Sequence, residues 1–151
     1  MAFEQTLILC KPDAVARGLV GEIVGRFERR GFTIAAMKLL VVDEARAKRH
    51  YAEHEGKPFF GGLVSFITSG PIVALVVEGN GAIEGSRSTI GATDPIKSPP
   101  GSIRGDFAQT IGRNLVHGSD SLESAKREIS IWFEPAEILS RKHPLDRWLV
   151  E

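Results

Sequence analysis

The chain has 151 residues, the size of one ordinary domain with room for a real core. Lys plus Arg is 19 and Asp plus Glu is 19, so no net field points to nucleic acid or a membrane surface as partner. Cys10 is the single cysteine, which excludes a disulfide framework within the chain. Met1-Ala2-Phe3-Glu4-Gln5 lacks a basic, then apolar, leader, and every apolar run is too short to span a bilayer, so a cytoplasmic protein is expected.

Thr6-Leu7-Ile8-Leu9-Cys10 is long enough for a buried strand but not for a helix, and Lys11-Pro12-Asp13 breaks it. From Leu19 to Arg30, Val20, Ile23, Val24 and Phe27 share one helical face, with Gly31 as the stop. Phe32 to Asp43 is rich in apolar and β-branched residues and reads as a second strand. Asp43 caps a helix through Ala47 and Tyr51, and another helix spans about Phe59 to Thr68 before Ser69-Gly70-Pro71. Ile72 to Val77 is uniformly apolar, a strand covered on both faces. Ala82 to Ile90 reads as a short helix weakened by Gly85.

Residues 91–113 differ in kind. Gly91-Ala92-Thr93-Asp94-Pro95 and Ser98-Pro99-Pro100-Gly101 resist regular structure, and so long a loop in a small domain is commonly functional. Leu115-Val116-His117 forms a fourth, very short strand. Asp120 then caps a helix, with Glu123 completing a capping box and Leu122, Ala125, Ile129, Trp132 and Phe133 on its apolar face. The single domain covers residues 1–151, and its tail, 134–151, carries Leu139, Leu145, Trp148 and Leu149. Four strands with interleaved helices predict an α/β chain with helices packed on one sheet; strand direction is left open by the order alone.

The familiar phosphate devices are absent. There is no Gly-x-x-x-x-Gly-Lys-Ser/Thr loop, no Gly-x-Gly-x-x-Gly after a strand, no His/Cys set with metal-ligand spacing and no serine elbow. What remains is His117, at a strand end one glycine before a helix whose N-terminus favours an anion. Gly118 leaves room for a ligand to approach the backbone, and Glu128 is placed to orient the imidazole. Taken alone, a strand-end histidine is better explained by local hydrogen bonding. Its company reverses that preference. Arg87, Thr93, Arg104, Arg113 and Asn114 punctuate a glycine- and proline-rich loop, where arginines suit phosphate oxygens, and Lys11 ends the first strand. Singly, each of these is an ordinary surface charge, Arg113 equally an ion-pair partner. Phe59, Phe60 and Tyr51 read as well for core or surface as for a ligand.

The run Asn114-Leu115-Val116-His117-Gly118-Ser119-Asp120-Ser121 resembles the active-site signature of nucleoside diphosphate kinases, Asn-x-x-His-Gly-Ser-Asp. The resemblance extends in order through Thr6 to Asp13, Arg17 to Ile23, His50 to Phe60, Thr68 to Pro71, Gly91 to Pro95 and Gly101 to Phe107. It implies a ferredoxin-like βαββαβ fold with a four-stranded antiparallel sheet. It implies that His117 takes the γ-phosphate of ATP or another nucleoside triphosphate as phosphohistidine and passes it to a diphosphate, a ping-pong reaction tolerant of base and sugar. On the same resemblance Lys11 and Asn114 hold the ribose hydroxyl and a phosphate, Arg87, Thr93 and Arg104 grip phosphates, and Tyr51 lies near the transferred group. Phe59 and Ile111 cover the two faces of the base, and Glu128 and Ser119 orient His117. Mg²⁺ is expected to arrive bridging the nucleotide phosphates, with Asp120 reaching it only through water, and no metal is bound by the protein alone. A homo-hexamer is expected, joined in part by the tail. The stretch Val77 to Ser86 departs from the family in its glycine content, and Val77 stands where many members have Trp. Two rivals remain at this level: a histidine-phosphorylating protein kinase or phosphocarrier, and a nucleotide-sensing module without turnover.

Overall fold

A computed structural model describes residues 2–151. Four strands form one antiparallel sheet: β1 (Phe3–Cys10), β2 (Thr33–Leu40), β3 (Ile72–Asn80) and β4 (Val116–Gly118), in the order β2-β3-β1-β4. β1 is flanked by β3 and β4, with Leu9 opposite both Ala74 and His117. The crossovers between β1 and β2, and between β3 and β4, carry helices, which gives the ferredoxin-like βαββαβ plan. The helices are α1 (Pro12–Ala16), α2 (Val20–Arg29), α3 (Glu44–His50), α4 (Phe60–Ile67), α5 (Ala82–Ile90), α6 (Ile103–Phe107) and α7 (Leu122–Trp132).

Alternation along the strands explains the two layers. Leu7, Leu9, Ala74 and Val76 pack with Ala47, Val64, Ile67, Ile131 and Trp132 from α3, α4 and α7. Ile8, Cys10, Val73, Leu75 and Val77 face the other way, onto Ile23 and Phe27 of α2, Ile90 of α5 and Ile103 of α6. Both faces of the sheet are thus covered, which is why β1 and β3 read as unbroken apolar runs.

Several expectations shift. Strand β2 ends at Leu40, short of Asp43, and bulges between Ile34 and Ala36; β4 is displaced by one residue, leaving Leu115 outside it. Pro12 does not simply break the chain but starts α1 from its first position, where a missing N–H costs nothing. Residues 91–113 are not all loop: Pro95–Lys97 make a 3₁₀ turn and Ser102 caps α6 by accepting from Gly105 N–H. The cap of α7 is Ser121, whose hydroxyl accepts from Ser124 N–H, rather than Asp120 with Glu123. The buried face of that helix is Ala125, Glu128, Ile131 and Trp132, while Leu122 is exposed. Helix α5 forms despite Gly85, which has no side chain because a Cβ there would lie 2.5 Å from the Phe32 ring. Among the described residues no helix is long and apolar enough to cross a membrane.

Candidate active site

Residue pairing puts His117 on the α7 side of the sheet, opposite Leu9. There its Nε2 lies 2.5 Å from Glu128 Oε1, and Glu128 is a buried carboxylate. A carboxylate only accepts, so Nε2 carries the hydrogen and the Nδ1 lone pair is left for chemistry. Ser119 Oγ donates to the same Oε1 at 3.1 Å and accepts from Leu7 N–H at 3.3 Å. Ser119 therefore touches the histidine's partner rather than the histidine. Arg127 approaches the second oxygen, Oε2, at 3.8 Å.

The backbone just before His117 is strained. Leu115 is the one non-glycine residue among those described with positive φ, 73°, and it is fully buried. Val116 N–H donates to Asn114 O at 2.8 Å, closing a three-residue turn. Such a conformation costs about 1–3 kcal/mol and persists only where surrounding bonds hold it. Two do: Lys11 N–H donates to Leu115 O at 2.8 Å, and Leu115 N–H donates to Asp13 Oδ2 at 3.0 Å.

The same turn assembles the basic residues. Lys11 Nζ donates to Asn114 Oδ1, and Asn114 Nδ2 donates to Thr93 O at 3.1 Å. Arg104 is buried and donates to four main-chain oxygens, from Nε to Asn114 O at 3.2 Å, Nη1 to Ala92 O at 3.2 Å and Gly91 O at 3.5 Å, and Nη2 to Val116 O at 2.6 Å. It fastens the 91–93 segment to β4. Arg87, exposed on α5, donates to Gly118 O at 3.1 Å. Burial, with help from Arg104 and Arg113 and against Asp13, lowers the Lys11 ammonium to about 8. Burial and Arg87 likewise lower Arg104 to about 10. Crowded cations deprived of water are what an arriving anion relieves.

Gly118 needs a different explanation from ligand access. A Cβ there would meet Ile90 Cδ1 at 2.7 Å, so the missing side chain serves the core behind β4. On the His117 side a line of rings leads outward. His50 sits edge-on to His117 at 4.7 Å between centroids and to Tyr51 at 4.8 Å; Tyr51 and His54 are 6.4 Å apart, and His54 and Phe59 5.3 Å. Burial, then the Glu128 charge, pushes the Tyr51 phenol up to about 12, so it remains a donor. Phe59 is half exposed at the outer end. Ile111 is exposed on the turn closed by Thr110 and Arg113. Arg113 stacks over Phe66 at 4.2 Å.

The sequence reading missed His50, Trp132 and Asp13. His50, His117 and Glu128 bring ligand atoms within 4.8 Å of one another, a possible metal group by type. The hydrogen bonding argues against it. Trp132 Nε1, a donor only, points at His50 Nδ1 at 3.1 Å, so the neutral ring carries its hydrogen on Nε2 and offers no lone pair. Burial, and then His117 nearby, hold His50 neutral by pushing its protonation well below the usual histidine range. A cavity of about 840 Å³ lies at the opposite end of the sheet, beside Phe32, Glu78, Arg141 and Leu149, and includes none of these groups.

A split β-α-β sandwich whose edge strand presents a carboxylate-backed imidazole to a cluster of desolvated cations has the makings of a phosphoryl-transfer site. The comparisons agree. The family model described as nucleoside diphosphate kinase matches residues 4–138. The chain is 58% identical over 148 residues to the nucleoside diphosphate kinase of Gloeobacter violaceus, covering 98% of this chain and 99% of the relative. It is 57% identical to a cytosolic nucleoside diphosphate kinase of Dictyostelium discoideum, over 93% and 91% of the two chains. Its backbone matches a halophilic nucleoside diphosphate kinase from Halobacterium salinarum in complex with CDP, with a TM-score of 0.95, 45% identity and 99% and 100% coverage. The chain belongs to the nucleoside diphosphate kinase family, and so to the phosphotransferases.

Proposed function

We propose that the chain transfers the γ-phosphate of a nucleoside triphosphate to a nucleoside diphosphate in two half-reactions through phospho-His117. The observation that carries this reading is the 2.5 Å contact between His117 Nε2 and Glu128, which directs the Nδ1 lone pair away from its only protein partner. In the first half, Nδ1 forms a bond to the γ-phosphorus while the bond from phosphorus to the bridging oxygen breaks, and the diphosphate leaves. In the second, a diphosphate's terminal oxygen takes the phosphorus and returns the lone pair to Nδ1. No proton crosses at either stage. Glu128 supports the positive character that the ring gains on phosphorylation, and Ser119 holds Glu128.

Lys11, Arg87, Thr93, Arg104 and Asn114 are assigned to the phosphates and ribose, with Tyr51 as a donor near the transferred group. Phe59 and Ile111, both exposed, are assigned to the base faces; stacking on an aromatic face tolerates any base. Mg²⁺ fits as a companion of the nucleotide, since the protein gathers no oxygen-rich cage. The exposed Asp120 carboxylate, kept ionised by bonds from Ser124 and Ser121, would support the ion only through water, and the ion would supply charge neutralisation. Cytoplasmic placement accords with the Dictyostelium relative's name.

A homo-oligomer, a hexamer by family resemblance, is supported by an open edge. β2 closes the sheet on one side and leaves Met37 and Leu39 57% and 68% exposed, Val41 just beyond it is 69% exposed, and the tail exposes Leu139, Leu145 and Trp148. The tail, residues 134–151, is assigned to subunit contacts.

The test is direct. With γ-labelled ATP the protein should acquire an acid-labile, alkali-stable phosphate and release it to GDP as labelled GTP. His117→Ala should lose both steps; a His117→Ala protein that still shuttles label to GDP sinks the reading. Label passing to partner proteins but not to GDP would favour the protein-kinase alternative instead.

A further inference from the structure

We propose that Asp13 is a positioning residue of this site, holding by one oxygen the strained turn that carries His117 and by its charge the cations Lys11 and Arg104. This rests on the assignment of those two cations to the nucleotide phosphates.

The geometry is specific. Asp13 is the second residue of α1, which begins where β1 ends, so the helix start meets the 114–116 turn. Both main-chain polar groups of Leu115 are taken by this short segment, the carbonyl by Lys11 N–H and the N–H by Asp13 Oδ2. Leu115 is fully buried, so no water stands ready to replace either bond. Pro12, between the two, fixes the backbone that aims them. The turn sets where β4 begins, and the pairing of His117 with Leu9 follows from it.

The other oxygen tells the second half. Asp13 Oδ1 is buried and accepts no hydrogen bond from the protein. A carboxylate oxygen left bare in this way is costly unless nearby charge offsets it. Lys11 is faced by Asp13 from α1, by Arg104 from α6 and by Arg113 from the segment before β4, with Asn114 accepting from it. Arg104 feels Arg87 from α5 and the same Asp13. Asp13 is the anion that bears on both. It lets the buried Arg104 and the half-buried Lys11 coexist before a nucleotide arrives.

Two substitutions separate the roles. Asp13→Asn keeps an oxygen for Leu115 N–H and removes the charge; Asp13→Ala removes both. The first readout is the Lys11 titration, followed in lysine labelled at Cε and assigned with Lys11→Arg, and it needs no catalysis. The second is the rate of His117 phosphorylation by ATP in a single turnover across pH. Asp13→Asn should lower the Lys11 midpoint by about one pH unit and carry the alkaline limb of the rate with it. Asp13→Ala should show the same shift and, in addition, phosphorylate at least about tenfold more slowly than Asp13→Asn at every pH, because the imidazole is misplaced. An unchanged Lys11 midpoint in Asp13→Asn overturns the charge role. Equal rates for the two variants overturn the turn role. If wild-type His117 takes no label, the phosphotransfer reading fails, while the Lys11 titration still decides what the Asp13 charge does.

Discussion

The phosphate site carries one ionisation close to neutral pH, that of Lys11. Its ammonium is intact below about 8 and lost above. A phosphate-holding role then predicts that kcat/KM falls as pH rises through about 8. Stability should move the other way. Between about 8 and the ordinary value of 10.5 the unfolded chain binds the proton that the folded chain has released, so unfolding becomes harder with rising pH. The difference between wild type and Lys11→Met in denaturant melts across that window isolates this contribution, and a flat difference would refute it. Cys10 offers a simpler check. It is fully buried, and burial, with the Asp13 charge, pushes its thiol up to about 12. The native protein should therefore resist thiol reagents that label it at once in denaturant. Among the described residues Trp132 supplies the only hydrogen bond to the buried His50 Nδ1. Trp132→Phe strands that nitrogen and should lower stability by about 1–3 kcal/mol, read from chemical denaturation.

Elements were legible where periodicity and punctuation coincide. Ala82–Ile90 is a helix with the bounds expected, and Asp43 caps α3 by accepting from Arg46 N–H. Where two capping residues stand side by side, local pattern cannot choose, and Ser121 rather than Asp120 starts α7. Ser121→Ala should cost about 1 kcal/mol, whereas Glu123→Ala should cost little, a pair of melts that tests the assignment. Glycine roles were harder to read, since they depend on distant neighbours. Gly85 is shaped by Phe32 and Gly118 by Ile90, contacts that no local window contains. Gly118→Ala should destabilise by about 1–3 kcal/mol through overpacking, measured by thermal melting. On α7, Ala125, Trp132 and Phe133 are buried and Ile129 packs on the core as expected; Leu122 is exposed, and the charged Glu128 lies on the buried side. The helix gives up an apolar slot there to reach His117.

At the scale of the molecule, the residue types pointed to a phosphate site around His117, but which of them meet was legible only through resemblance. Lys11 and Asn114 are 103 positions apart, and Leu115 and Asp13 are 102 apart, so no spacing rule joins them. Their meeting follows from β1 lying next to β4. The free edge of β2 makes a prediction of its own. Replacing Leu39, 68% exposed, with Lys should leave the subunit folded but shift sedimentation toward smaller species; unchanged sedimentation would mean the edge is not an interface. The sheet order has a further consequence, in the time of synthesis. The first strand made is an inner one, and its partners Ile72–Asn80 and Val116–Gly118 leave the ribosome much later. Until then Leu7, Ile8, Leu9 and Cys10 have no sheet to join. The nascent chain must carry a bare, sticky strand through most of its translation, shielded by chaperones or by transient collapse. Nothing shorter than the chain through β4 can bring Lys11 to Asn114, so truncated products should be aggregation-prone and inert together.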